Sequence, residues 1–156
     1  MVHDSDLRRL SKNGRFAYAL ASIERLCSAW GVKDPNIRSE VEAHWQAPAA
    51  KYACIWLEKY YLPGNVQEFA SHVEEGRLSA DQIQSLHHAL YEARQVIGRS
   101  CYEAVSDTYS MESVLNVVGV LARWGVEPPA VAGFAHMNWS GTFDHGEWFP
   151  RETFVF

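Results

Sequence analysis

Apolar residues at Phe16, Leu20, Ile23, Cys27 and Trp30 advance in alternating steps of four and three. That spacing puts them on one face of a helix ending near Trp30. Gly31 follows, where a helix exits through a left-handed residue that glycine enters without a Cβ penalty. Val32 is placed to fold back on Cys27, Asp34 can cap a new helix, and Pro35 suits its first turn. The corner returns 94 residues later: Trp30-Gly31-Val32, Pro35 and Trp45 recur as Trp124-Gly125-Val126, Pro129 and Trp139. Apolar positions before the corners align as well, Leu20 with Val114, Ile23 with Val117 and Leu26 with Val120. Here Gly125 stops a helix, Val126 can reach Leu121, and Pro128 or Pro129 begins the next. The paired tryptophans favour an internal duplication over convergence on good corner chemistry, because a cap does not require Trp. Two copies are too few for a solenoid.

Between the corners, Asn36 to Trp45 reads as a short helix broken by Ala47-Pro48, and Lys51 to Leu62 as another. Pro63-Gly64 is a turn. Asn65 with Glu68 starts a helix through a capping box, ending at Gly76, and Ser79 with Gln82 repeats the start signal. The longest stripe runs through Ile83, Leu86, Leu90, Ala93, Ile97, Cys101 and Ala104. Met111 to Trp124 differs, because Val114, Leu115, Val117, Val118, Val120 and Leu121 leave little polar face. That pattern predicts a central helix buried on all sides. Residues 138–156 change character, with Gly141, Gly146 and Pro150 among Phe143, Trp148, Phe149, Phe154 and Phe156. They read as an extended aromatic arm, either packed into a groove on the helices or presented to a partner. Packing is favoured, since exposed aromatic patches are uncommon on monomers.

The expected fold is all-α: a compact bundle of about six or seven helices. It has similar helix-Gly-Pro-helix corners around 30–35 and 124–129 and an extended aromatic C-terminal arm. The 156 residues read as one domain, with 1–12 as a lead-in and 138–156 as the arm. A chain of this length buries about two thirds of its unfolded surface and needs no disulfide or metal staple.

Charge narrows the partners. The formal net charge of -5 disfavours a nucleic-acid backbone, which requires a basic stripe, and suits a basic protein. The basic cluster Arg8, Arg9, Lys12 and Arg15 is offset by the neighbouring Asp4 and Asp6 and reads as a solvated first turn. Cys27, Cys54 and Cys101 are widely spaced within apolar patterns, as expected of reduced core thiols in a cytoplasmic protein. The longest apolar stretch, Val114 to Val126, is interrupted by Arg123 and falls short of the roughly 20 residues that span a bilayer. No membrane association is expected.

Three places could carry chemistry. His88 and Glu92 lie four apart, as do Glu40 and His44, and the four could share a metal if their helices face each other. His87 and Tyr91 pair on the adjoining face. The second corner replaces Glu40 with Phe134 and His44 with Asn138, which suits a conserved scaffold better than a site. In Asp144-His145-Gly146-Glu147-Trp148, carboxylates flank a histidine and could support acid-base catalysis, without a nucleophile beside them in sequence. The same loop has the anatomy of a hot spot, a tryptophan ringed by carboxylates. No phosphate-binding, dinucleotide, serine-hydrolase or zinc-protease motif occurs.

The leading expectation is a non-enzymatic protein-binding module, an inhibitor or toxin-neutralising immunity-type protein that occludes a basic partner. Its surface is expected at Asp144, Glu147 and Trp148, joined by Glu74, Glu75 and Asp81. No cofactor is implied. The alternatives are a metal-binding enzyme using His88, Glu92, His44 and Glu40, and a small-ligand sensor with a Trp-lined pocket between the corners.

Overall fold

The computed structural model describes residues 4–46, 56–57, 62–74, 76–102 and 107–137. Among them lie α1 (Asp4–Arg8), α2 (Lys12–Ala29), α3 (Pro35–Trp45), α4 (Val66–Ser71), α5 (Ala80–Tyr102), α6 (Asp107–Arg123) and a 3-10 helix (Val131–Met137). No strand occurs among the described residues, and the all-helical architecture read from the sequence holds. No helix among them is long and apolar enough to cross a membrane. The stretch expected as a helix over 51–62 lies largely outside the described residues, and the 138–156 arm lies wholly outside.

The three long helices α2, α5 and α6 pack against one another, with α3 and the 3-10 helix against α2 and α4 against α5. The most enclosed element is α2, in which every residue from Asn13 to Ile23 is buried. Its small side chains let neighbours close in from several sides. A Cβ added at Gly14 would lie 2.9 Å from the Met137 carbonyl oxygen. That oxygen accepts from the Ser11 amide at 2.8 Å, so the 3-10 helix is drawn onto the start of α2.

The expected central helix, α6, is not buried all round. It leaves Glu112, Asn116, Gly119 and Ala122 exposed. Its valines and leucines are numerous, but Gly119 and Ala122 complete a far face with too little apolar area to need cover. The lead-in is also more than that: Leu7 of α1 and Leu10 are in the core.

Arg15 corrects a second expectation. It is fully buried, not part of a solvated turn. Its guanidinium donates to the carbonyls of Leu7 (3.0 Å) and Arg8 (3.1 Å) and to Ser110 Oγ (3.3 Å). The last carbonyls of α1 have no partners within that helix, and Arg15 supplies donors to two of them. The arginine therefore ties α1 and α6 to α2.

Both corners close in the same way. Gly31 and Gly125 each have φ of 65°. Val32 N–H donates to Cys27 O at 2.9 Å and Gly31 N–H to Ser28 O at 3.0 Å; Val126 donates to Leu121 at 2.9 Å and Gly125 to Ala122 at 3.1 Å. This is the paired cap that satisfies two orphan carbonyls at a helix end. After the turn the copies diverge. Asp34 Oδ1 accepts from Asn36 N–H (2.8 Å) and Ile37 N–H (3.2 Å) and launches α3. The equivalent position is Pro128, which has no acceptor side chain, and the chain there forms only the short 3-10 helix.

Helix α4 is shorter than its capping box suggests. Asn65 Oδ1 accepts from the Glu68 amide at 2.8 Å, as expected, but the helix ends at Ser71 and not at Gly76. Gly76 instead holds φ of 75° in the turn that follows.

Candidate functional site

The histidine–glutamate pairs separate into an inner and an outer set. His44, on α3, is fully buried, and its Nδ1 lies 2.7 Å from the Glu40 carbonyl oxygen. A carbonyl can only accept, so Nδ1 carries the proton. The ring meets Trp56 edge to face at 5.5 Å, and the Arg94 guanidinium lies over Trp56 at 5.4 Å. Burial pushes the His44 pKa down to about 4, with the Arg94 charge adding in the same direction against the Glu40 hydrogen bond. A neutral, enclosed imidazole fits packing better than proton transfer to a substrate.

His88 is exposed on α5 and Glu92 is half-buried. The neighbouring His87 turns inward, donating from Nε2 to Pro63 O at 2.7 Å beside Phe69. Among the described residues, no group of three or more His, Cys, Asp or Glu is arranged to hold a metal ion. Glu40, His44, His88 and Glu92 are all described, and the fold does not gather them into such a group.

Of the residues expected at a protein-binding surface, Asp144, Glu147, Trp148 and Glu75 lie outside the described residues. Glu74 is exposed on the link between α4 and α5, and Asp81 is exposed in the first turn of α5. This link is braced from below. Asp34, itself 1 % exposed, uses Oδ2 to accept the Glu74 amide at 2.7 Å while Oδ1 caps α3. Asn36 Nδ2 donates to His72 O at 2.7 Å. At the far end the Ser79 hydroxyl accepts from Gln82 N–H (3.2 Å) and the Gln82 side chain accepts from Ser79 N–H (2.9 Å). The backbone is thus held at both ends while the charged side chains point outward.

A larger feature was not anticipated in position or lining. A cleft of about 820 Å³ opens between α2, α3 and the second corner. Its floor includes Val32, Ile37, Val41 and Val126, and its rim carries Glu24, Arg38, Glu42 and Glu127. Cys27 also lines it, with its thiol pushed up to about 12 by burial and secondarily by the Glu24 charge. Arg25 and Glu127 border this cleft and also a second groove of about 760 Å³ beside Pro128 and Pro129.

The expected Trp-lined pocket between the corners takes another form. The Trp30 and Trp124 rings meet edge to face, and the described lining of the adjacent cleft contains no tryptophan. Helical spacing could not show that α3 lies across α2 at the right distance to leave a gap.

The chain matches no known family model, no curated protein and no solved structure.

Proposed function

We propose that this protein is a non-enzymatic protein-binding module of the inhibitor or immunity type, acting in the cytoplasm by covering a basic surface on its partner. The observation that carries the reading is the braced placement of two exposed carboxylates, Glu74 on the link after α4 and Asp81 in the first turn of α5. Binding costs less when a recognition loop is ordered beforehand, and Asp34, Asn36 and the Ser79–Gln82 box do that ordering. Glu74 pairs with Arg77 at 2.8 Å, the side chains being 46 % and 58 % exposed. An exposed pair of this kind contributes about 0–1 kcal/mol, so Glu74 can exchange Arg77 for a cation on the partner at small cost. The net charge of -5 favours encounter with a basic protein. Glu75 belongs to the same acidic stretch, and Asp144, Glu147 and Trp148 remain the proposed apolar and acidic complement.

The test is capture from native cell extract, followed by charge reversal. A basic protein should be retained at low salt and released as ionic strength rises. Glu74→Lys combined with Asp81→Lys should abolish retention while the protein stays folded, with a fall in melting temperature of only a few degrees, since both positions are exposed but one pairs with Arg77 and the other lies in the first turn of α5. Undiminished capture by the double variant would remove these two carboxylates from the proposed surface.

A further inference from the structure

We propose that the cleft beside the corners is a binding site for a short zwitterionic peptide with aliphatic side chains. The cleft shares no residue with the acidic link between α4 and α5, so either proposal can fail alone. Its floor is aliphatic and drawn from three segments: Val32 from the first corner, Ile37 and Val41 from α3, and Val126 from the second corner. Such a floor accepts apolar side chains and releases water from both surfaces. At about 820 Å³ the cleft falls within the roughly 300–1,000 Å³ typical of small-ligand sites. It suits a di- or tripeptide and not a docked helix.

The rim decides the ligand's charge. Glu24 comes from α2, Glu42 from α3 and Glu127 from the second corner, while Arg25 and Arg38 come from α2 and α3. A plain cation would meet two guanidiniums as well as its carboxylates. A plain anion would meet three carboxylates. A ligand with an ammonium at one end and a carboxylate at the other finds opposite charge for both. Glu24 is already positioned for this role: the indole N–H of Trp45, 3 % exposed, donates to Glu24 Oε1 at 3.1 Å. Its side chain is therefore oriented before any ligand arrives, which lowers the ordering cost of binding.

The experiment titrates nitrogen-15-labelled protein with the dipeptide Leu-Val, its N-acetyl form and its C-terminal amide, following the amides of Val32 and Val126. The free dipeptide should shift both in a saturable way, and each cap should weaken binding about tenfold, the scale of one lost charge-assisted contact. Glu24→Gln keeps an oxygen acceptor for Trp45 and should erase the penalty for acetylation while preserving that for amidation. Arg38→Gln, at an exposed position, should do the reverse. Equal binding of free and capped peptides, or no saturable shift at either amide, overturns the proposal. So does an unchanged pattern of penalties in both variants.

Discussion

Trp30 and Trp124 meet edge to face, with ring centroids 5.0 Å apart and planes inclined at 75°. Each ends a helix of one copy of the repeated corner, so the two copies are joined at equivalent residues. Trp124 also donates from Nε1 to Ser85 Oγ at 2.9 Å, tying the junction to α5. Edge-to-face contact is one of the arrangements aromatic pairs prefer and contributes about 0.5–1.5 kcal/mol beyond area burial.

From this contact we expect a double-mutant cycle to show coupling. Trp30→Ala and Trp124→Ala should each destabilise by about 2–4 kcal/mol, less than the worst core truncations because both rings are half-buried. Trp124→Ala should cost more, since it deprives the buried Ser85 hydroxyl of its donor. Urea denaturation of the four proteins measures the interaction energy, and strict additivity would show that the contact contributes nothing of its own.

The glycines of the fold divide by mechanism. At Gly31 and Gly125 a Cβ meets nothing within 4 Å, and only the positive φ resists substitution. Gly31→Ala and Gly125→Ala should therefore cost about 1–2 kcal/mol each, and nearly the same. Gly14 has no positive φ, but its Cβ would collide with the Met137 backbone. Gly14→Ala should destabilise by about 1–3 kcal/mol through overpacking, although alanine improves helix propensity by about 1 kcal/mol. Thermal denaturation distinguishes these, and a stabilised Gly14→Ala protein would contradict the close approach.

His44 predicts a pH dependence with a definite sign. Its pKa falls from 6.5 unfolded to about 4 folded. Between these values the unfolded chain binds a proton that the native protein does not, so stability rises with pH across this window. The contribution is complete above about 6.5 and is lost as pH falls toward 4. It amounts to about 3 kcal/mol at most. Because carboxylates titrate in the same range, the measurement is the difference between the native protein and His44→Gln in denaturation midpoints from pH 7 to pH 4. Parallel curves would mean that the imidazole titrates normally.

Arg15 should resist conservative exchange. Its three donors reach Leu7 O, Arg8 O and Ser110 Oγ in a fork that a lysine ammonium cannot reproduce. Arg15→Lys and Arg15→Met should both destabilise, by about 2–4 kcal/mol, because neither restores the buried three-way link from α2 to α1 and α6. Amide exchange should show α1 opening first in either variant. Retention of wild-type protection at Leu7 and Leu10 would assign the anchoring of α1 to its leucines alone.

The two corners were legible in the chain because each is a local structure. A glycine with positive φ, two hydrogen bonds reaching back three and five residues and an apolar contact are all specified within about six positions. The N-cap at Asn65 and the capping box at Ser79 were readable for the same reason, as was the all-helical class. Which helix lies at the centre was not. Counting valines pointed to α6, whereas enclosure depends on how closely neighbours approach, and the small residues of α2 allow that approach. Nor does spacing separate a solvated Arg15 from a buried one, or an exposed His44 from an enclosed one. Those outcomes depend on Ser110, Arg94 and Trp56, which come from distant parts of the chain. The cleft between α2, α3 and the second corner is a tertiary product in the same sense. Short-range hydrogen bonds stop each helix at its own sequence, but the space left between helices is set by side chains that meet only after the chain has folded.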